Sequence, residues 1–482
     1  MNKFYLTSAI PYVNAAPHIG HAQEFVYSDV IRRYHKLIGE NVGYLCGADE
    51  NGLKIIQAAQ KAHQSPQIFC DVHQQEFLQL AEQLNVHFDT WQRSTDKTHR
   101  IASQKLWGLC QKNGDIYKKS YTGLYCVGCE LFYTREELDE KGQCYEHPGK
   151  KLDEVSEENY FFKLSNYQKF LEELISTDQL KIYPEIRKNE ALAFIKRGLE
   201  DFSISRSKTR AKNWGVPVAD DPEQIMYVWF DALNIYQSGI GFGWDEERYN
   251  KWWPQDLMVI GKGILRFHAI YWPAILKSAG LKLPKSLFVH GYLTVDGQKM
   301  SKTLGNVIDP VREIDKYGTD SIRYYLLREI PSSGDGDFSE RRFKEIYNAD
   351  LANGLGNLVA RVAKLAKDIQ STKRESPKYY NTIYYCSENS AYQKSFEEYR
   401  FNDALSFLWE KVTSANKKID EKKPWTLRGE ELRQVLSPLI DQILEIAILL
   451  QPFLPQTAEK VLKQFTGSLI QVQPPLFPRI NT

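Results

Sequence analysis

Phe4-Tyr5-Leu6-Thr7-Ser8-Ala9-Ile10, then Pro11 and Pro17 bracketing a turn, then His18-Ile19-Gly20-His21 opening a run in which Ala22, Phe25, Val26, Val30 and Tyr34 recur at helical spacing, read as strand, turn and helix. Its first seven residues are apolar and partly β-branched, which suits a buried strand. The prolines end that strand, and the periodicity beyond them predicts a helix whose first turn carries both histidines. Such a turn presents free N–H groups and the positive end of the helix dipole, a site suited to phosphate. Histidines three residues apart share a face, and Gly20 between them lets a ligand approach the backbone. Standing alone, the tetrapeptide reads equally as a surface helix that happens to open with histidine.

A second segment, Lys299-Met300-Ser301-Lys302-Thr303, follows Asp296-Gly297-Gln298 and precedes Gly305, a context that predicts a mobile loop. Flexible ammonium groups there can neutralise a triphosphate as charge builds on leaving pyrophosphate. A lysine-bearing loop by itself is usually only solvated. In this order, with a split strand and helix layout between them, the two segments resemble the paired signatures of the class I aminoacyl-tRNA synthetases.

At 482 residues the chain should form two or three domains with ample core. Its 62 basic and 61 acidic residues do not advertise nucleic-acid binding, so any RNA contact must come from local patches. Mean hydropathy is −0.47 and no apolar run approaches a bilayer span, so no membrane partner is expected. Lys3, the brief apolar run and Ala15-Ala16 mimic a signal peptide, but cleavage there would remove the first strand and expose the histidine turn. The seven cysteines are odd in number and sit in a long chain, which argues against a disulfide framework and for a reducing cytoplasm.

Cys126-x-x-Cys129 followed by Cys144-x-x-His147 gives four ligands in two paired knuckles, the tetrahedral set that zinc prefers. One structural Zn²⁺ is expected, because four protein ligands leave no open position for water or substrate. The bland reading is a set of unrelated cytoplasmic thiols.

Val42 to Cys46 reads as a second buried strand, ending at Gly47-Ala48-Asp49-Glu50-Asn51-Gly52. Ligands in open α/β sheets bind at strand carboxyl ends, which places Asp49 for a substrate amino group. Residues 115–220 read as an insertion. Met226 to Phe230, Leu257 to Ile260 and Ser286 to His290 read as later strands, with a helical stretch through Phe267, His268, Ile270, Tyr271 and Ile275. Past residue 340 the texture turns helical: Leu351, Leu355, Leu358, Val362, Leu365 and Ile369 repeat at three and four, as do Leu405, Leu408, Val412, Ala415 and Ile419. Leu432 to Leu450 adds a strongly apolar helix, and residues 371–390 read as a loop. The expected fold is α/β, a Rossmann-like catalytic domain split by a zinc-binding insertion, followed by an all-α bundle. Its parts are 1–114 and 221–295 as the catalytic halves, 115–220 as the insertion, 296–340 as the lysine-loop and stem-contact region, and 341–482 as the bundle.

The resemblance narrows to the methionyl-tRNA synthetase family and covers nearly the whole chain, through Ala9-Ile10-Pro11-Tyr12-Val13-Asn14, Gly47-Ala48-Asp49-Glu50, Tyr227-Val228-Trp229-Phe230-Asp231-Ala232 and Ile260-Gly261-Lys262. It implies a ligase using L-methionine, ATP with Mg²⁺, and initiator and elongator tRNA(Met), through methionyl adenylate. By resemblance, ATP would meet His18, Gly20, His21, Glu24, Lys299, Ser301 and Lys302, the histidines and lysines being catalytic. Methionine would meet Ile10, Tyr12, Asp49, Trp229, Ala232, Tyr236, Ile264, Phe267 and His268, with Tyr12 or His268 donating a hydrogen bond to sulfur. A thioether offers no charge, so an adaptable apolar and aromatic pocket is the chemistry it requires. The anticodon would be read by Asn357, Arg361 and Trp425, residue types that stack on and hydrogen-bond to unpaired bases.

Two positions depart from the family pattern: Asn51 stands where histidine is usual, and Gly263 where aspartate is usual. They motivate a rival reading, a paralogue that adenylates a related amino acid or uses a non-tRNA acceptor. A rival of another class is a non-catalytic RNA-binding protein on the same scaffold. The chain ends near Phe477-Pro478-Arg479, which favours a monomer.

Overall fold

The computed structural model describes residues 2–126, 131–133, 138–145, 149–300, 305–367, 389–466 and 469–481. Lys3–Ser8 forms the first strand, and His18 caps a helix over Ile19–Leu37. That helix buries Ile19, Ala22, Phe25, Val26 and Val30, a stripe wide enough to cover one sheet face. Six parallel strands follow the order Thr90–Arg93, Asn41–Ala48, Lys3–Ser8, Leu257–Gly261, Ser286–His290, Lys181–Tyr183. The order reverses between the first strand and Leu257–Gly261, which pair as Leu6 with Leu257 and Ser8 with Val259. Past their carboxyl ends lies the crevice in which a doubly wound sheet binds ligands.

The sixth strand, Lys181–Tyr183, comes from within the stretch expected as an insertion and pairs with Ser286–Phe288. That stretch therefore returns to the six-stranded parallel sheet. Its own sheet centres on a long hairpin of Ile116–Cys126 against Asp153–Phe162.

Of the expected strand Met226 to Phe230, only Met226 lies in a strand. The strand is Asp221–Met226, antiparallel to Ser205–Ser207, and Val228–Ala232 is helical. Five consecutive apolar residues fit a buried helical turn as well as a strand, and the Phe230 N–H to Tyr227 carbonyl bond of 2.9 Å begins the turn.

Lys299 also departs from the expected loop. Asp296 and Gly297, with φ of 47° and 75°, make a two-residue turn joining Leu293–Val295 to Gln298–Lys299, the positive-φ geometry that Asp-Gly favours in hairpins.

The C-terminal part is helical, with Asn357–Ala366, Ser390–Glu397, Phe401–Lys422, Gly429–Leu450 and Pro455–Phe465 packed around buried Leu358, Val362, Leu405, Leu408 and Leu444. Ile369 and residues 371–388 of the expected loop lie outside the described residues. Among the described residues no helix is long and apolar enough to cross a membrane.

Candidate active site

The helix opened by His18 begins at the crevice. His18 Nδ1 accepts the Gly20 N–H at 3.1 Å, and His21 Nδ1 accepts the His18 N–H at 3.1 Å, a reciprocal cap. Each ring thus uses Nδ1 as acceptor, which puts the proton of the neutral imidazole on Nε2 and makes that atom a donor. Burial, then the neighbouring His18, pushes the His21 pKa well down, so His21 is neutral. The rings lie 3.9 Å apart, and His21 meets Phe77 edge-on at 5.0 Å.

The two segments expected at the nucleotide meet in space. A methyl added at Gly20 would lie 3.8 Å from Met300 Cε and 3.0 Å from the His18 ring. Just past the lysine segment, the Ile308 carbonyl accepts the Ile19 N–H at 3.2 Å. Lys299 is exposed beside this turn; Ser301 and Lys302 lie outside the described residues. Glu24, one turn along the helix, sits 2.9 Å from His290 Nε2, and burial raises its pKa against the opposing His290. His290 Nδ1 lies 2.8 Å from the Gly291 carbonyl, and a Cβ at Gly261 would come within 3.6 Å of its ring. His290 carries no sequence signal beyond ending a strand.

The residues expected around methionine come together at the same strand ends. Tyr12 and Asp49 form an isolated parallel bridge, with the Val13 N–H donating to the Asp49 carbonyl at 3.2 Å. Asp49 is buried. The Trp229 and Phe267 rings stack at 3.7 Å and 4°, and His268 stands edge-on to Trp229 at 6.4 Å. Ala232, Tyr236, Phe267 and His268 are buried, and Ile10, Tyr12, Trp229 and Ile264 pack against the same apolar cluster.

His268 Nδ1 lies 2.9 Å from the Ile264 carbonyl, so it is the protonated nitrogen, and Nε2 accepts the Tyr236 hydroxyl at 2.9 Å. Burial lowers its pKa to about 4. The Tyr12 hydroxyl donates to the Asn51 carbonyl at 2.7 Å. Both expected sulfur donors are therefore engaged within the protein, and a bond to sulfur requires one of these contacts to exchange.

Both departing positions are built into the crevice. Asn51 Nδ2 donates to Asp231 Oδ2 at 2.5 Å. Asp231 is wholly buried, His99 Nε2 stands 3.7 Å from the same oxygen, and His99 Nδ1 lies 2.8 Å from Ser238 Oγ. Burial raises the Asp231 pKa, opposed by His99 and Asn51. Sequence reasoning misses this polar cluster: Asp231 sits in a family motif with no assigned role, and a lone helical histidine such as His99 gives no signal. At Gly263, an added Cβ would lie 1.9 Å from the Tyr292 hydroxyl, and Lys262 stands 4.7 Å from the Tyr292 ring centroid and 2.7 Å from Asp335.

Of the four expected zinc ligands, Cys126 and Cys144 are buried in one apolar cluster with Tyr133, whose hydroxyl lies 3.4 Å from Cys144 Sγ; Cys129 and His147 lie outside the described residues. Among the described residues alone no group of three or more His, Cys, Asp or Glu forms a metal site. In the bundle, Asn357 is exposed, and Arg361 binds Asp420 at 2.6 Å while lying 5.8 Å from the half-exposed Trp425 ring.

A parallel sheet with a 3-2-1 reversal, a histidine-capped helix at its switch point and a lysine hairpin against that cap define a class I aminoacyl-tRNA synthetase. Residues 4–363 match the family model described as tRNA synthetases class I (M), and the chain belongs to that family. The methionine–tRNA ligase of Thermotoga maritima is 42% identical over 474 residues, covering 96% of this chain and 75% of the relative. That of Nostoc sp. is 41% identical and covers 96% and 89%. The structure of Mycobacterium tuberculosis methionyl-tRNA synthetase in complex with methionyl-adenylate matches with a TM-score of 0.91 at 35% identity, over 99% of this chain and 100% of that one.

Proposed function

We propose that this chain is a ligase that activates L-methionine with ATP and transfers it to tRNA(Met). The observation that carries the choice of amino acid is the uncharged pocket of stacked Trp229 and Phe267 around neutral His268, with Asp49 as its acidic neighbour. An apolar, polarisable side chain bearing an ammonium fits that combination, because sulfur gains from ring contacts while the carboxylate holds the charge.

In the first step the methionine carboxylate attacks the α-phosphorus of ATP; a bond to the α–β bridging oxygen breaks, and pyrophosphate leaves. The carboxylate is already ionised, so no base is required, and positioning and charge stabilisation carry the catalysis. The Nε2–H groups of His18 and His21 donate to phosphate oxygens, Lys299 and Lys302 offset the charge on departing pyrophosphate, and Mg²⁺ accompanies ATP. Glu24, Gly20 and Ser301 complete the nucleotide site. In the second step a terminal ribose hydroxyl of tRNA attacks the mixed anhydride, its proton leaves with AMP, and the aminoacyl ester forms.

Cys126 and Cys144, buried together, fit a thiolate-rich metal, and with Cys129 and His147 they would hold one structural Zn²⁺ that stabilises the inserted lobe. Asn357, Arg361 and Trp425 would read the anticodon, a guanidinium beside an exposed indole being a stacking surface for bases. Buried thiols Cys46 and Cys110, whose pKa values burial pushes up to about 12, are chemically inert and suit a cytoplasmic location.

The relatives from Thermotoga maritima and Nostoc sp., which span most of this chain, are methionine–tRNA ligases, which supports this reading over a paralogue of other specificity or a non-catalytic RNA-binding protein. Charging of initiator and elongator tRNA(Met) with radiolabelled methionine tests it; failure of both with an active control enzyme would sink it.

A further inference from the structure

The hairpin that ends in Lys299 is too small to hold itself. Its strands, Leu293–Val295 and Gln298–Lys299, pair only as Thr294 with Lys299 and Val295 with Gln298, and both Gln298 and Lys299 are exposed. A two-stranded ribbon is marginal in water without a further strand behind it. Gly336–Phe338 supplies that strand, running parallel to Leu293–Val295 with Leu293 beside Gly336 and Val295 beside Phe338. The two chains approach closely at Gly291 and Gly334, where a Cβ on Gly291 would lie 2.0 Å from the Gly334 carbonyl oxygen.

Asp337, in the middle of this backing strand, grips the hairpin with one carboxylate oxygen. Its Oδ1 accepts the Gly297 N–H at 2.7 Å and the Thr294 hydroxyl at 2.6 Å. Gly297 is a turn residue with φ of 75°, and Thr294 is the residue paired with Lys299. The Asp296 N–H adds a bond to the Phe338 carbonyl at 3.2 Å. Carboxylate acceptors make stronger bonds than neutral ones, so a single side chain fixes both the turn and the rung that carries Lys299. Phe338 is buried and meets the Tyr325 ring edge-on at 5.2 Å, which anchors the strand to the helix over Thr319–Arg328.

We propose that Asp337 is a positioning residue for Lys299, holding that lysine's backbone beside the histidine turn, where Met300 already lies against Gly20. The inference rests on the tRNA-ligase reading above. A lysine side chain is a flexible point charge, and fixing the backbone beneath it concentrates the ammonium where pyrophosphate departs. Such an effect belongs to the transition state and shows in kcat rather than in substrate binding.

The test compares full-length Asp337→Ala and Asp337→Asn with wild type, each also in a Lys299→Ala background. Asp337→Ala should lower kcat for methionine-dependent pyrophosphate exchange about tenfold, the factor of one charge-assisted bond, and leave the KM for methionine unchanged. Asp337→Asn retains an acceptor oxygen and should recover most of that loss. With Lys299 already removed, Asp337→Ala should change kcat by less than about twofold, because two residues that act through one contact are not additive. Amide hydrogen exchange should quicken across residues 293–300 alone, which separates a freed hairpin from an unfolded protein. An unchanged kcat, an undiminished loss in the Lys299→Ala background, a raised KM for methionine, an Asp337→Asn variant as slow as Asp337→Ala, or faster amide exchange throughout the chain would each overturn the inference. Should wild type show no methionine-dependent exchange, the ligase reading fails instead, and amide exchange over residues 293–300 still decides whether Asp337 holds the hairpin.

Discussion

Asn51 Nδ2 lies 2.5 Å from Asp231 Oδ2, tying the loop that carries Asp49 to the helix that carries Trp229 and Ala232. The two walls of the proposed methionine pocket are thus joined by one amide–carboxylate bond, and the other Asp231 oxygen has no partner among the described residues. Asn51→Ala should therefore destabilise the protein by about 1–3 kcal/mol, the cost of leaving a buried acceptor unsatisfied. It should also raise the KM for methionine with little change in that for ATP. Thermal unfolding and exchange kinetics check this, and equal changes in both KM values would contradict a role in joining the pocket walls.

His268 predicts a pH dependence whose sign is set by burial. Its folded pKa of about 4 lies below the ordinary 6.5, so between these values the unfolded chain takes up a proton that the native chain refuses. Stability is complete above pH 6.5 and is lost on acidification towards 4. His268→Gln should flatten the part of the stability profile that falls in this window, and Tyr236→Phe, which removes the donor to Nε2, should raise the KM for methionine. Urea unfolding across pH 4.5–7.5 tests the first claim; a profile identical in wild type and His268→Gln would refute it.

Gly263 and Tyr292 form a second coupled pair, since a Cβ at residue 263 would meet the tyrosine hydroxyl at 1.9 Å. Gly263→Ala must push the Tyr292 ring away from Lys262 and should raise the KM for ATP. Tyr292→Phe in the same chain should recover much of that loss, giving a coupling of at least ~0.5 kcal/mol in a double-mutant cycle. Strictly additive effects would mean that the ring yields freely.

Much of this arrangement is legible in the amino-acid sequence. Residues 3–37 announce a strand, a turn and a helix because proline, histidine and a clean 3.6 period agree, and local physics alone decides such a segment. The pocket residues follow from family resemblance rather than from spacing. What stays hidden is whatever depends on distant partners. Val228 to Phe230 has no period with which to choose helix over strand, Lys181–Tyr183 becomes a strand only because the sheet edge at Ser286–Phe288 accepts it, and His99 gains meaning only beside Asp231.

Arg323 joins the bundle to the helix over Ile19–Leu37. Its buried guanidinium lies 2.8 Å from Asp29 and donates to the Pro452 and Phe453 carbonyls at 2.9 and 2.8 Å. Arg323→Met leaves Asp29 buried, with Arg33 as its remaining ionic partner among the described residues, and should cost about 3–5 kcal/mol of stability. Charging of tRNA should fall further than exchange, because the bundle loses its anchor on the helix that begins at His18. Loss of both activities to the same extent would show that Arg323 serves folding alone.

On the proposed function, one crevice selects methionine and joins it to AMP. The decisive measurement is pyrophosphate exchange with each of the twenty standard amino acids and with norleucine. Exchange should depend on methionine, with norleucine as the nearest competitor because it fills the same apolar pocket without sulfur; strongest exchange with another standard amino acid, or none with any, would contradict the account.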